Sequence, residues 1–152
     1  MSQISLSEFA DKMSEVIPVI SKDFLRQQSS EFYKVKVTLP QIIILNFLHT
    51  QGETKMSDMA RTMEVTTAAM TGIVDRLVRE SYVTRVYDPS DRRIVKIRLT
   101  SKGKILVERI NQQRHQMIIK IFGKISEADR KNYLRILMQI RDILGQEKGI
   151  AD

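Results

Sequence analysis

Residues 66–99 read TTAAMTGIVDRLVRESYVTRVYDPSDRRIVKIRL. The pattern changes period half-way. Met70, Ile73, Val74, Leu77 and Val78 recur at the three- and four-residue steps of a helix that buries one face. Ile94 to Leu99 alternates instead. Val95, Ile97 and Leu99 fall on one side and Lys96 and Arg98 on the other, as in a strand with one covered face. Between Tyr82–Tyr87 and that strand lies Asp88-Pro89-Ser90-Asp91-Arg92-Arg93, a turn of Pro, Ser and Asp with two arginines on its far side. The stretch thus predicts a helix followed by a hairpin with a basic tip.

The segments before it complete a unit. Thr38-Leu39-Pro40-Gln41 has the form of a capping box with Pro in the first turn, and predicts a nearly all-apolar helix from Gln41 to about His49. A short helix follows over Ser57–Met63, with Met56, Met59, Ala60 and Met63 inward. Glu64-Val65 makes the turn, Val65 plugs the corner, and Thr66 or Thr67 caps the helix of the opening stretch. Two short helices joined by a tight turn and followed by a basic hairpin form the layout of a winged helix-turn-helix. In that layout the second helix enters a DNA major groove and the hairpin tip follows the backbone or enters a minor groove.

The flanks are helical. Leu6 to about Gln28 carries Phe9, Met13, Val16, Ile17, Ile20 and Phe24 at helical steps, with Pro18 predicting a kink or break near Ile17. Gln27–Val37 is polar and aperiodic and reads as a loop. Thr100 caps a long helix to about Gly123, with Ile105, Leu106, Ile110, Met117, Ile118, Ile121 and Phe122 on its apolar side. Gly103 lets that helix approach the preceding strand. Ser126 caps a last helix with Glu127 and Asp129 in its first turn. Gly145–Asp152 reads as a frayed tail. The expected fold is therefore mainly α with a small β-hairpin. It divides into an N-terminal dimerisation helix (1–37), a winged DNA-binding lobe (38–100) and C-terminal dimerisation helices (101–152). The flanking apolar stripes are broader than one partner surface needs, which predicts packing against a second copy.

Composition agrees with this reading. The 152 residues carry a formal charge of +7. Residues 66–104 hold nine Lys/Arg against four Asp/Glu, an excess of five that is most of the total. A basic module of this kind suits a polyanion. The absence of cysteine excludes disulfides, thiolate catalysis and Cys-ligated zinc. His49 and His115, the only histidines, form no zinc-binding spacing, so no metal or other cofactor is expected. The chain shows no Gly-rich phosphate loop and no nucleophile–base pair, and is not expected to be an enzyme. No apolar run is long enough to span a membrane and no leader is visible. The expected location is cytoplasmic, with no membrane partner.

The order of segments resembles the multiple-antibiotic-resistance regulator (MarR) family of winged-helix transcription factors, from about Leu6 to Leu144. Asp88-Pro89-Ser90-Asp91-Arg92-Arg93 with Leu99-Thr100-Ser101-Lys102-Gly103 is similar to the family's wing signature. Thr38-Leu39-Pro40-Gln41, Met59-Ala60, Val74-Asp75-Arg76-Leu77 and Val83-Thr84-Arg85 add to the likeness. The resemblance implies a homodimer that binds double-stranded DNA at a pseudo-palindromic operator. It also implies repression relieved by a small aromatic or anionic effector. It casts Arg93, braced by Asp91, as the groove-inserting residue. The chain lacks the reactive cysteine of the family's peroxide sensors.

On the residues alone, Thr66, Thr67, Ala68, Ala69, Thr71 and Arg76 lie off the apolar stripe and form the reading face. The small alanines let the helix sit deep, and the threonines offer hydroxyls to base edges or phosphates. Capping and helix filling account for the threonines and alanines equally well, and Arg76, further along, can reach the DNA backbone or pair with Asp75 or Glu80 instead. Arg92 suits a phosphate; Asp91 can hold a guanidinium, and Asp88 stiffens the turn. Lys96 and Arg98 suit phosphate contacts that position without specifying, or an ordinary solvated strand face. The alternative class is a helical protein-interaction module, or a regulator that acts through a protein partner.

Overall fold

The computed structural model describes residues 4–35 and 37–148. The elements run α1 (Leu6–Val35), α2 (Leu39–Gln51), β1 (Thr54–Lys55), α3 (Met56–Thr62), α4 (Thr67–Arg79), β2 (Val83–Tyr87), β3 (Val95–Leu99), α5 (Ser101–Phe122) and α6 (Glu127–Lys148). The chain divides into two compact units, Met1–Gln113 and Arg114–Asp152.

The core of the first unit lies where α2, α3 and α4 meet the sheet. Ile44, Leu45, Met59, Met70, Leu77 and Ile97 are fully buried there. Each such side chain contributes roughly 1.5–3 kcal/mol by leaving water. The greasy α2 is central, as its composition requires. Gln41 Oε1 accepts the Thr38 N–H at 2.8 Å and closes one arm of the capping box. The helix ends at Gly52, whose φ of 79° suits glycine.

The sheet has three antiparallel strands in the order β1-β3-β2. The hairpin register pairs Val83 with Leu99, Arg85 with Ile97 and Tyr87 with Val95. The strand absent from the sequence reading is β1, which pairs Thr54 with Ile97 and Lys55 with Lys96. Two residues are too few to show a period.

Both helices of the helix-turn-helix end alike. Glu64 (φ 53°) and Ser81 (φ 62°) adopt the left-handed conformation. The Val65 N–H reaches back to the Ala60 carbonyl at 3.0 Å, and the Tyr82 N–H to the Leu77 carbonyl at 2.9 Å. These are Schellman turns made without glycine.

Several expectations need correction. α1 neither breaks at Pro18 nor stops at Gln28; it continues to Val35 through a stretch read as a loop. Residues 26–35 contain no Gly or Pro to stop the helix, and Arg26, Gln27, Gln28, Glu31 and Lys34 are good helix formers. Val65 is 36% exposed and does not plug the corner; Met59, Ala60 and Met70 fill it. Ile105 is 58% exposed, and α5 buries Leu106, Val107 and Ile110 instead. α6 extends through Gly145 to Lys148; residues 149–152 of the expected tail lie outside the described residues. The caps at Thr100 and Ser126 form, their hydroxyls accepting the Gly103 and Asp129 N–H at 3.0 and 3.1 Å.

Candidate nucleic-acid interface

α4 is presented by its cap. Thr66 Oγ1 accepts the Ala69 N–H at 3.1 Å, so Thr66 is committed to starting the helix and Thr67 is its first residue. Met70, Val74 and Leu77 anchor the opposite side in the core. Thr67, Ala68 and Ala69 therefore stand outward. The Thr71 hydroxyl donates to the Thr67 carbonyl at 2.8 Å. Its lone pairs remain as acceptors.

The hairpin tip is held by two aspartates that grip backbone. Asp88 Oδ1 accepts the Ser90 N–H at 3.0 Å and the Ser90 hydroxyl at 2.5 Å. Asp91 Oδ1 accepts the Arg93 N–H at 2.9 Å. The Asp88 N–H donates to the Ile94 carbonyl and the Ile94 N–H to the Asp91 carbonyl, at 3.0 and 2.9 Å. The Ser90 hydroxyl, then the Ser90 N–H, then the Lys96 ammonium hold the Asp88 carboxyl down to about 2 from 3.8. Asp91 thus fixes Arg93 through its main chain, where the sequence reading had allowed a carboxylate–guanidinium bond. Among the described residues no carboxylate pairs with the Arg92 or Arg93 guanidinium, and both side chains are exposed.

Lys96, expected to meet phosphate, is engaged within the chain. Its ammonium lies 3.3 Å from Asp88 and 3.8 Å from Glu53, tying the tip to the loop before β1. Asp75 and Arg85, both within the family likeness but not expected as partners, form an ion pair at 2.5 Å between α4 and β2. No sequence signal marks a contact between residues ten apart in different elements.

The expected reading residues do not all meet. A cleft of about 590 Å³ between α4 and the hairpin is lined by Thr67, Thr71 and Arg93, together with Lys55, Asp75, Arg85 and Tyr87. Arg76 lines a different cleft with Arg79, Glu80 and Gln41. Arg98 sits at the base of the hairpin, beside His49, Gly52 and Lys104. α2 ends beside them at Gln51, and the negative end of its dipole complements these cations. Among the described residues no cluster of His, Asp and Glu could hold a metal. No described helix is long and apolar enough to cross a membrane.

Comparison with known proteins gives a consistent result. Residues 37–95 match the MarR family model. The repressor MdtR of Bacillus subtilis (strain 168), an HTH-type transcriptional repressor, is 30% identical over 96 residues, which cover 63% of this chain and 62% of that one. A MarR family protein from Bacillus stearothermophilus superposes with a TM-score of 0.81 at 20% identity, over 93% of this chain and 99% of that one. A MepR-like protein crystallised with pseudoligands is 31% identical with a TM-score of 0.59, over 88% of this chain and 94% of that one.

Proposed function

We infer that this chain, which belongs to the MarR family and is a DNA-binding transcriptional regulator, works as a homodimeric repressor in the cytoplasm. Its dimer binds a pseudo-palindromic operator with half-sites about one helical turn, ~10 bp, apart. The observation that carries this is the cleft where Thr67 and Thr71 face Arg93 on a tip pre-ordered by Asp88 and Asp91.

The roles divide by position. Thr67, Ala68, Ala69 and Thr71 meet bases in the major groove, while Thr66 sets the angle of the helix. Arg93 enters the minor groove, where a narrow groove concentrates negative potential. Arg92, Arg76 and Arg98 meet phosphates, and Lys96 positions the tip. Residues 38–100 form the binding lobe, with 1–37 and 101–152 joining two copies. Two exposed apolar faces support that assembly. Leu6, Phe9, Met13 and Ile20 are exposed on α1, and Leu134, Leu137, Ile140 and Leu144 on α6. Faces of this size are uncommon on a monomer. A small aromatic or anionic effector releases the operator, as the resemblance implies; the MepR-like relative was crystallised with pseudoligands. The chain performs no catalysis and needs no cofactor.

Selection of duplexes from a random pool, followed by mobility shifts across a salt series, tests the reading. The expected outcome is an inverted repeat bound by two chains, with affinity falling steeply as salt rises. A chain that selects no sequence, or binds as a monomer, refutes it.

A further inference from the structure

An acid on the groove-facing side of a recognition helix calls for explanation. Thr67, Thr71 and Asp75 follow one another at four-residue steps, so they share a face and line the same cleft. A carboxylate there faces the phosphates of any duplex that Thr67 and Thr71 touch. Coulomb repulsion alone would weaken binding.

Arg85 alters that account. Its guanidinium meets Asp75 at 2.5 Å from β2, ten residues on. Arg85 is paired with Ile97 in the sheet register, and Ile97 is fully buried. The arginine therefore rises from the covered face of the hairpin, on the side of α4. Among the described residues this is the one side-chain polar contact between α4 and the β2–β3 hairpin.

We propose that Asp75 and Arg85 are positioning residues: a strut that fixes the recognition helix against the wing, so that Thr67 and Thr71 and the Arg93 tip engage one duplex together. The proposal rests on the DNA-binding mode inferred above. The strut acts through geometry, because Asp75 carries the wrong charge to meet a phosphate and its carboxylate is engaged by Arg85. Asp75 and Arg85 are 45% and 27% exposed, so the pair is worth little to folding. Its effect falls on the alignment of two reading elements.

The sign of one substitution separates the strut from simple electrostatics. Asp75→Asn removes a negative charge near the duplex and frees Arg85 to meet a phosphate. Electrostatics alone then predicts tighter binding and a steeper salt dependence. The strut predicts weaker binding to the preferred sequence, by about two- to fivefold per lobe and on the order of 4- to 25-fold for two lobes. Binding to a scrambled duplex should hold or rise.

The experiment measures full-length wild type, Asp75→Asn, Arg85→Gln and the double variant. Two probes are used: a duplex selected from a random pool by the wild-type chain, and a scrambled duplex of equal length. Thermal unfolding is recorded alongside and should be nearly unchanged. In the Arg85→Gln background the strut is already gone, so Asp75→Asn should strengthen binding to the selected duplex. That inversion of sign between backgrounds is the expected result. Asp75→Asn binding the selected duplex as well as wild type, or the same change in both backgrounds, overturns the strut alone. A wild-type chain with no preference between the probes overturns the binding mode and the strut with it.

Discussion

Gly103→Ala should destabilise the binding lobe, although alanine is the better helix former. An ideal Cβ on Gly103 would lie 2.0 Å from the Tyr82 carbonyl oxygen, 3.0 Å from its carbon and 3.1 Å from Leu99 Cδ2. The first distance forces α5 and Tyr82 apart by about 1 Å, because packed interiors yield little. Tyr82 is 6% exposed, and its carbonyl accepts the Thr100 N–H at 3.1 Å. Separation lengthens that bond beyond use, while the Thr100 hydroxyl keeps the Ser81 carbonyl, its nearer acceptor at 2.7 Å. The lost hydrogen bond costs about 0.5–1.5 kcal/mol. Overpacking adds about 1–3 kcal/mol. Alanine returns about 1 kcal/mol of helix propensity. The net loss is on the order of 0.5–3.5 kcal/mol, centred near 2, or about 4–8 °C in Tm at that centre for a chain of this size. Urea and thermal unfolding followed by circular dichroism measure it. Gly72→Ala in α4 is the control: nothing lies within 4 Å of its Cβ. It should stabilise by up to about 1 kcal/mol. A Gly103→Ala protein as stable as wild type would falsify the claim that this close approach sets the seat of α5.

Ser81→Gly should stabilise by about 1 kcal/mol, since Ser81 holds a φ of 62° that glycine adopts freely; a loss in urea unfolding would contradict this. Arg93→Ala should weaken binding to a selected duplex by roughly 1–3 kcal/mol. Fluorescence anisotropy reads the change, and equal affinity removes Arg93 from the interface. The tip should also respond to acid. Asp88 titrates near 2 when folded and near 3.8 otherwise, so its contribution is complete above 3.8 and is lost as pH falls from there through about 2. The Ser90 amide resonance should report a midpoint near 2 and lose that transition in Asp88→Asn; a midpoint near 3.8 would mean the carboxylate does not hold the turn.

Features visible in the sequence were those whose cause is local. Alternation over Val95–Leu99 and the turn at Asp88-Pro89-Ser90 are set by neighbours in the chain, and the hairpin formed where they indicated. The caps at Thr66, Thr100 and Ser126 each reach three residues. Features that depend on distant partners were not visible. β1 exists because β3 lies beside it. The turns at Glu64 and Ser81 carry no glycine to announce them. Ile105 has helical spacing, yet the packing of α5 selects Leu106 and Val107. In the candidate interface the residue types on α4 and the tip were readable, but the bonding was not. Asp91 grips the main chain, Lys96 turns toward Asp88, and Arg85 finds Asp75 across two elements.

The pairing of β1 with β3 bears on how such proteins can be recombined. β3 is the middle strand, with Thr54 and Lys55 on one side and β2 on the other. A graft that exchanged only residues 83–99 with a relative would cut through a ladder whose third rail belongs to the stretch ahead of α3. Where the incoming β3 does not take up the register with Thr54 and Lys55, the edge is bared and its unpaired N–H and C=O groups invite strand addition by another molecule. The smallest exchangeable block therefore begins at Gly52 and runs through β3, carrying α3 and α4 with it. Specificity in this lobe can be inherited or redesigned as that whole block, and the wing does not travel alone.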